Sequence, residues 1–325
     1  MTTHASRASA LPPRAGGANV GRAGRIRTWG RFLRFEHTLF SLPMLFAGVL
    51  LGAGLDPSLR LLLLVLVAGI GARTAALGLN RIIDRRLDAA NPRTASRELP
   101  RGALGLTEAW GVTAAGAAVY VGAAWLLAPI CLLLAPIPLA VFVAYPYLKR
   151  VTPWCHLGVG LGLAMAPLGG WFAARLAFED LLPPLLLAGF TLAWVGGFDV
   201  IYSTLDEVHD RAAGVRSLPA RYGRSAALRI SRGIHVAAWL CLAVLVFGWL
   251  AWRPALVPLL GVGGLLAWEQ KKADDIDLAF FRINVWVGFV ALATVAAGLS
   301  PAGEMVMAKR LEEPFRVLAA MGDVV

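Results

Sequence analysis

"LRLLLLVLVAGIGARTAALGLNRIIDRRLDAANPRTASRELPRG", residues 59–102, joins two environments in one run. Residues 59–79 are predominantly apolar and long enough to cross a bilayer, whose hydrocarbon core takes roughly 20 helical residues. The following 23 positions, 80–102, hold two aspartates, one glutamate and six arginines. A helix that leaves lipid and at once delivers this much charge sets polar groups at the mouth of an apolar segment.

The rest of the chain has the same character. Of 325 residues, 58% are hydrophobic and only 16% charged, and the mean hydropathy is +0.66. Soluble domains average about 45–50% apolar and about 25% charged residues. Nine apolar stretches are read as spans: 38–55, 59–79, 105–127, 129–147, 156–176, 181–203, 234–252, 255–270 and 281–299. The predicted fold class is therefore all-α, a polytopic bundle of nine transmembrane helices. The fourth span is interrupted by Pro129, Pro136 and Pro138, and the eighth is short. Repeated alternation over about ten residues, the mark of a membrane barrel, does not occur.

Lysine and arginine in the connections set the orientation. The N-terminal arm carries Arg7, Arg14, Arg22, Arg25, Arg27, Arg31 and Arg34, whereas alternate loops carry only Arg60, Arg175 and Arg253. The expectation is a multi-pass protein of the cell's inner membrane, with the N-terminus and polar loops cytoplasmic. The net charge of +11 then reflects topology and contact with anionic lipid, not nucleic acid. Residues 1–30 lack the apolar core of a signal peptide and read as a basic, disordered arm. Cys131, Cys155 and Cys241 are scattered in or beside spans, which suits small buried apolar groups and excludes a disulfide framework or zinc site.

Asn80, Asp84 and Asp88 stand at i, i+4 and i+8, one face of a helix continuing out of the second span. The helix breaks at Asn91-Pro92, and Arg93, Arg97 and Arg101 follow. A second cassette, "FDVIYSTLDEVHDRAAGVRSLPARYG", closes the sixth span. There Asp199, Tyr202, Asp206 and Asp210 again predict one helical face, Gly214 fits the position just past a helix end, and Arg211, Arg216 and Arg221 follow. Oxygen ligands without His or Cys suit Mg²⁺, which takes one or two carboxylates and completes its shell with substrate phosphates and water. Arginines beside it suit two-toothed contact with a diphosphate. Solvated loop charge is the plainer alternative, but Asp199 lies inside a span, where a carboxylate costs about 2.5–3.5 kcal/mol on insertion scales. "YPYLKR", residues 145–150, adds Tyr145, Lys149 and Arg150 at the end of the fourth span. Asp274, Asp275 and Asp277, between the last two spans, read as a solvated loop.

These motifs resemble the UbiA family of intramembrane prenyltransferases over roughly residues 28–299. Asn80, Asp84 and Asp88 are similar to its first motif, Asn-Asp-x-x-Asp-x-x-x-Asp, except that Arg81 stands where an acid is usual. "RTASRELPRG" resembles its Arg-Thr-x-x-Arg-Pro-Leu segment, "YPYLKR" its Tyr-Pro-x-x-Lys-Arg element, and Asp199, Tyr202, Asp206 and Asp210 match its second motif in full. The resemblance implies a catalytic domain over 31–300, with 301–325 as a tail. It implies metal ligation by Asn80, Asp84, Asp88, Asp206 and Asp210, and diphosphate contact by Arg93, Arg97, Lys149, Arg150 and Arg211. Asp199, Tyr202, Arg97 and Lys149 become the catalytic candidates, with Asp199 orienting or deprotonating the acceptor.

The substrates implied are a polyprenyl diphosphate and a small aromatic acceptor, with Mg²⁺ as cofactor and membrane lipid as the surroundings. "FEHTLFSLP" and "GFDVIYSTLDEVHDR" resemble the branch acting on 4-hydroxybenzoate for ubiquinone or menaquinone synthesis. Its futalosine-linked part would take 1,4-dihydroxy-6-naphthoate instead. Glu36 and His37 open the first span, and His37 reads as structural. An ion-coupled carrier is the alternative from another class, against which stand acids clustered at one face and interleaved with bases.

Overall fold

The computed structural model describes residues 22–33, 38–275 and 282–299. Glu36, His37, Asp277 and the tail 301–325 lie outside them. The elements run α1 (Arg22–Phe32), α2 (Thr38–Ala53), α3 (Leu59–Ala90), α4 (Leu106–Leu127), α5 (Pro129–Leu134), α6 (Pro136–Leu148) and α7 (Cys155–Arg175). They continue with α8 (Leu182–Ser203), α9 (Glu207–Ala212), α10 (Leu218–Tyr222), α11 (Arg224–Trp249), α12 (Trp252–Lys271) and α13 (Asn284–Gly298). No strand occurs among the described residues, so the all-α expectation holds.

All nine apolar stretches fall on helices. Six helical stretches have both the length and the hydropathy to cross a membrane: Leu59–Ala90, Leu106–Leu127, Pro129–Leu148, Cys155–Arg175, Leu182–Ala212 and Arg224–Trp249. Ser41–Ala53 and Asn284–Gly298 are apolar but shorter, and α12 carries Arg253, Glu269 and Lys271 at its two ends. Nine crossings are therefore more than length and hydropathy alone support.

Local chemistry sets the ends that matter. Ser58 Oγ accepts from the Leu61 backbone N–H at 3.3 Å and starts α3. That helix runs for 32 residues, or roughly 48 Å at 1.5 Å per residue, so its last turns outrun the roughly 30 Å apolar slab. It stops at Asn91, the residue that Pro92 excludes from helix. The second cassette departs from the single helix expected. α8 ends at Ser203, a 3₁₀ turn covers Thr204–Asp206, and α9 follows. Ser203 Oγ and Thr204 Oγ1 donate back to the Val200 and Ile201 carbonyls at 2.8 and 2.7 Å, competing with the helical ladder. Gly214, with φ +70°, closes α9 as expected. The arm differs too, because residues 22–32 form α1. Phe32 of α1 is buried against Ile82, Leu104 and Ala109, and Trp29 Nε1 donates to Glu108 at 2.8 Å.

α2, α7, α8, α11, α12 and α13 close a ring in which each packs on the next, while α3 and α6 close a second ring against α2 and α7. The larger core joins α2, α8, α11, α12 and α13 around Trp194, Phe190, Leu242 and Leu259. Its buried polar groups are cross-bonded: Asn284 Nδ2 donates to Glu269 at 2.7 Å, and Trp194 Nε1 donates to Asn284 at 2.6 Å. Outward faces carry exposed apolar side chains such as Leu63, Trp125, Val244 and Val257, as a lipid-facing surface requires.

Close helix approach relies on small residues, since helices in lipid gain little from apolar burial alone. A Cβ on Gly71 of α3 would lie 2.6 Å from the Tyr120 backbone nitrogen and 2.8 Å from the Gly116 carbonyl oxygen of α4. Both neighbours are backbone and have nowhere to move. Gly71→Val is expected to destabilise the protein by at least about 1–3 kcal/mol, read as a lower thermal midpoint in detergent. Gly111→Ala, where nothing lies within 4 Å, is the control and does not lower the midpoint, since alanine is the better helix former.

Candidate active site

α3, α6 and α8 all end, and α7 begins, at the same end of the bundle, and their termini surround one cavity of about 580 Å³. Its deep walls are apolar, with Leu45, Val65, Leu127, Phe142, Ala166 and Phe172 among them. Its mouth brings together Asn80, Asp84 and Asp88 from α3, Arg93 and Arg97 from the following loop and Lys149 from the end of α6. Asp199, Tyr202, Asp206 and Asp210 complete it from the second cassette. All four of those side chains line the cavity although the helix breaks after Ser203.

The acids are bonded, mostly to bases of another segment. Lys149 Nζ donates to Asp84 Oδ2 at 2.6 Å and Asn80 Nδ2 to the same oxygen at 3.1 Å, while Arg150 Nη2 lies 3.5 Å from Oδ1. Arg97 Nη1 donates to Asp88 Oδ1 at 2.7 Å. Arg93 forms a two-toothed pair with Asp206, with Nε on Oδ1 at 2.9 Å and Nη2 on Oδ2. Asn91 Nδ2 adds a third donor to Asp206 Oδ1 at 2.8 Å, and the Asn91 side-chain oxygen accepts the Arg93 backbone N–H at 2.9 Å. Arg93 Nη1 also donates to the Tyr202 hydroxyl at 2.6 Å. Burial works against the Arg93 charge, but the Asp206 bonds outweigh it and hold the guanidinium above its usual pKa. Ser217 Oγ donates to Asp210 Oδ2 at 2.8 Å.

Some expected residues stand elsewhere. Arg211 is exposed, outside the cavity lining, with Nη2 on Glu207 at 3.0 Å and Nε on the Ala220 carbonyl at 3.3 Å. Its α9 position gives it an acid one turn earlier, so the structure does not place it with the diphosphate group. Arg150 reaches Asp84 from just outside the lining and stacks over the Tyr147 ring at 4.9 Å. Asp274 pairs with Arg224 at 2.5 Å on the surface. Arg81, at the motif position where an acid is usual, is buried in the cavity wall.

Two cavity residues escaped the sequence reading. Arg73 sits in α3, seven residues, or about 10 Å, before Asn80, and lines the apolar part of the cavity. Its Nη1 lies 3.5 Å from Ser41 Oγ, and its Nε is sealed from solvent with no hydrogen-bond partner. A charged residue inside a span is itself the signal. The second, His156, opens α7 and bonds Asp199 at 2.7 Å; a lone histidine at a helix start carries no sequence signal of that contact.

The donor set suits a hard divalent cation. It consists of oxygens alone, and Asp88 Oδ2 is buried with no hydrogen-bond partner. Among the described residues no three His, Cys, Asp or Glu side chains cluster tightly enough to hold an ion by themselves. Mg²⁺, which uses few protein ligands and retains water and substrate oxygens, fits an oxygen donor set of this kind.

An all-helical membrane bundle with an acid- and base-lined mouth on an apolar cavity is the architecture of an intramembrane prenyltransferase, and comparison with known proteins agrees. Residues 41–286 match the UbiA prenyltransferase family, and the chain belongs to it. A 4-hydroxybenzoate solanesyltransferase of Synechocystis sp. is 30% identical over 271 residues, 80% of this chain and 90% of that protein. A 4-hydroxybenzoate octaprenyltransferase of Sodalis glossinidius is 29% identical over 257 residues, 77% and 87% of the two chains. Among solved structures, the apo UbiA homolog of Aeropyrum pernix superposes with a TM-score of 0.73 at 35% identity, covering 80% of this chain and 97% of that one. An Archaeoglobus fulgidus homolog bound to GPP and Mg²⁺ shares the fold, with a TM-score of 0.64 at 16% identity over 84% and 98% of the chains.

The two-toothed Arg93–Asp206 pair ties the first cassette to the second. Arg93→Lys keeps the charge but not the fork. It is expected to cost about 1.5–3 kcal/mol, the worth of a charge-assisted bond, and to lower the thermal midpoint. Arg211→Lys, made outside the cavity, leaves the midpoint unchanged.

Proposed function

We propose that this prenyltransferase moves a polyprenyl group from polyprenyl diphosphate to the ring of an aromatic acid, and that the acid is 4-hydroxybenzoate. The observation that carries the reading is Arg73, a guanidinium with a sealed, unpartnered Nε in an apolar wall below the acidic mouth. Such a group needs an anion, and a benzoate carboxylate is the size and shape a guanidinium pairs with. The names of the Synechocystis and Sodalis relatives support the same acceptor.

In this reading Asn80, Asp84 and Asp88 on one side, with Asp206 and Asp210 on the other, hold Mg²⁺, which supplies neutralising charge to the leaving diphosphate. Arg93, Arg97, Lys149 and Arg150 donate to the remaining phosphate oxygens, each being already within bonding reach of an acid of the site. Donors set in advance where charge develops lower the barrier to its departure. Tyr202, whose hydroxyl accepts a bond from Arg93, stands beside them. The prenyl tail occupies the apolar wall around Phe142 and Phe172, where water does not quench an allylic cation. As the carbon–oxygen bond to diphosphate breaks, the ring carbon ortho to the phenol bonds to the allylic carbon. The ring then loses its proton to the Asp199 carboxylate and regains aromaticity. In the same reading residues 31–300 are the catalytic domain, and the lysine and arginine content of the loops supports a mouth at the cytoplasmic face of the inner membrane.

1,4-Dihydroxy-6-naphthoate is the second reading, because its carboxylate meets Arg73 equally well and Arg81 departs from the family motif. Membranes containing the protein, given solanesyl diphosphate, Mg²⁺ and both acids together, are expected to yield prenylated hydroxybenzoate by mass spectrometry, and none with EDTA. Prenylated naphthoate alone would reassign the acceptor. Arg73→Leu is expected to lower kcat/KM for 4-hydroxybenzoate about 10- to 100-fold, the loss of one charge-assisted bond. Turnover of its methyl ester should stay unchanged; equal losses on acid and ester would remove Arg73 from carboxylate recognition.

A further inference from the structure

We infer that His156 is a positioning residue for Asp199, a role built from a single ring tautomer that the backbone imposes. The inference rests on the reading of Asp199 above as the group that meets the acceptor. His156 is only 3% exposed and lies where α7 begins. One ring nitrogen, Nδ1, is 2.7 Å from Asp199 Oδ2. The other, Nε2, accepts the Leu218 backbone N–H at 3.3 Å. A nitrogen that receives an N–H bond has a lone pair there and no proton, so the ring proton sits on Nδ1 and is donated to Asp199. A backbone amide, which neither titrates nor rotates, thereby selects the tautomer.

This has three consequences for the site. Asp199 Oδ2 is occupied, so Oδ1 is the oxygen left for a ligand in the cavity that Asp199 lines. With Nε2 taken by the Leu218 N–H and Nδ1 by Asp199, the ring has no open nitrogen facing the ligand, so the carboxylate is the group placed to receive the acceptor's proton. The fixing point is also shared with the other half of the site. Leu218 follows Ser217, whose hydroxyl bonds Asp210 at 2.8 Å. The same short segment is fastened to the end of α6 and the start of α7, since Arg216 N donates to the Lys149 carbonyl at 2.7 Å and Cys155 Sγ to the Arg216 carbonyl at 3.4 Å. Two neighbouring residues therefore set the carboxylate proposed for the acceptor and a carboxylate proposed for the metal in register with each other.

The pairing predicts which replacement works. Glutamine carries a donor and an acceptor on one side chain, so His156→Gln can still donate to Asp199 and accept from Leu218. His156→Leu can do neither. The expected result is that His156→Leu lowers kcat/KM for the aromatic acid about 10- to 100-fold, the range seen when the partner that orients a functional group is lost. The KM for prenyl diphosphate should stay within twofold of wild type. His156→Gln should recover most of the loss, and adding His156→Leu to Asp199→Asn should cost less than twofold more. Equal losses toward both substrates, or a glutamine variant as poor as the leucine variant, would overturn the inference.

A second measurement does not depend on the acceptor or on the leucine variant folding. In the full-length protein labelled with ¹⁵N-histidine in detergent, the resonances absent from His156→Gln should show a proton on Nδ1 and a bare Nε2. They should shift in Asp199→Asn but not in Arg211→Lys. A proton on Nε2, or no response to Asp199→Asn, would overturn the inference even in an active enzyme. If wild type prenylates neither acid while the ring shows the expected tautomer, the acceptor reading fails and the positioning of Asp199 stands.

Discussion

Arg93 and Asp206 lie 113 residues apart in the chain and meet through two parallel bonds at the mouth of the cavity. A carboxylate at the edge of an apolar bundle must be partnered or neutralised, because the low dielectric magnifies the cost of leaving it alone. The bundle meets that demand by crossing segments. The acid of the second cassette takes its bases from the loop after α3, and Asp84 of α3 takes Lys149 from the end of α6. Electrostatic need thus pulls three helix ends to one point. The cavity beneath them follows from that convergence together with the close glycine contacts of α3 on α4 and α2 on α7.

Depth divides the labour among the polar groups. At the mouth, several acids and bases balance one another. Arg73 of α3, in the apolar part of the cavity, and Asp199 of α8, at its mouth, both stand within apolar spans, each at a cost that insertion scales put at about 2.5–3.5 kcal/mol. Such groups are kept inside a span only where a cavity or a partner receives them. Asp199 has its partner in His156, whereas Arg73 has the long Ser41 contact and a bare Nε. The unequal treatment is the physical basis for assigning Arg73 to a bound carboxylate and Asp199 to proton traffic.

Much of this was legible in the sequence because spacing and periodicity carry it. Asn80, Asp84 and Asp88 at intervals of four sit on one wall of a helix that does continue past the apolar run, and Pro92 does end it. The second cassette was legible in its residues but not in its backbone. Ser203 and Thr204 were read as helix, although their hydroxyls compete with the ladder and introduce the 3₁₀ turn. Arg211 reads from the sequence as a diphosphate contact, whereas its own α9 turn offers Glu207, a nearer acid. Arg73 was visible as a charge in an apolar run but was masked by the denser charge beyond it. His156 could not be found without the fold, since its meaning lies in contacts with Asp199 and Leu218, 43 and 62 residues away.

In the proposed reaction the two cassettes grip one diphosphate between them while its tail runs down the apolar wall. The most direct measurement is a structure of the full-length protein with Mg²⁺ and a prenyl thiolodiphosphate whose carbon–sulfur bond resists cleavage. Metal density is expected between the diphosphate and carboxylates of both cassettes, Asp84 or Asp88 on one side and Asp206 or Asp210 on the other. Arg93, Arg97 and Lys149 should lie on phosphate oxygens, with the first isoprene unit toward Phe142 and Phe172. A diphosphate held by one cassette alone, or a tail lying outside the cavity, would contradict it.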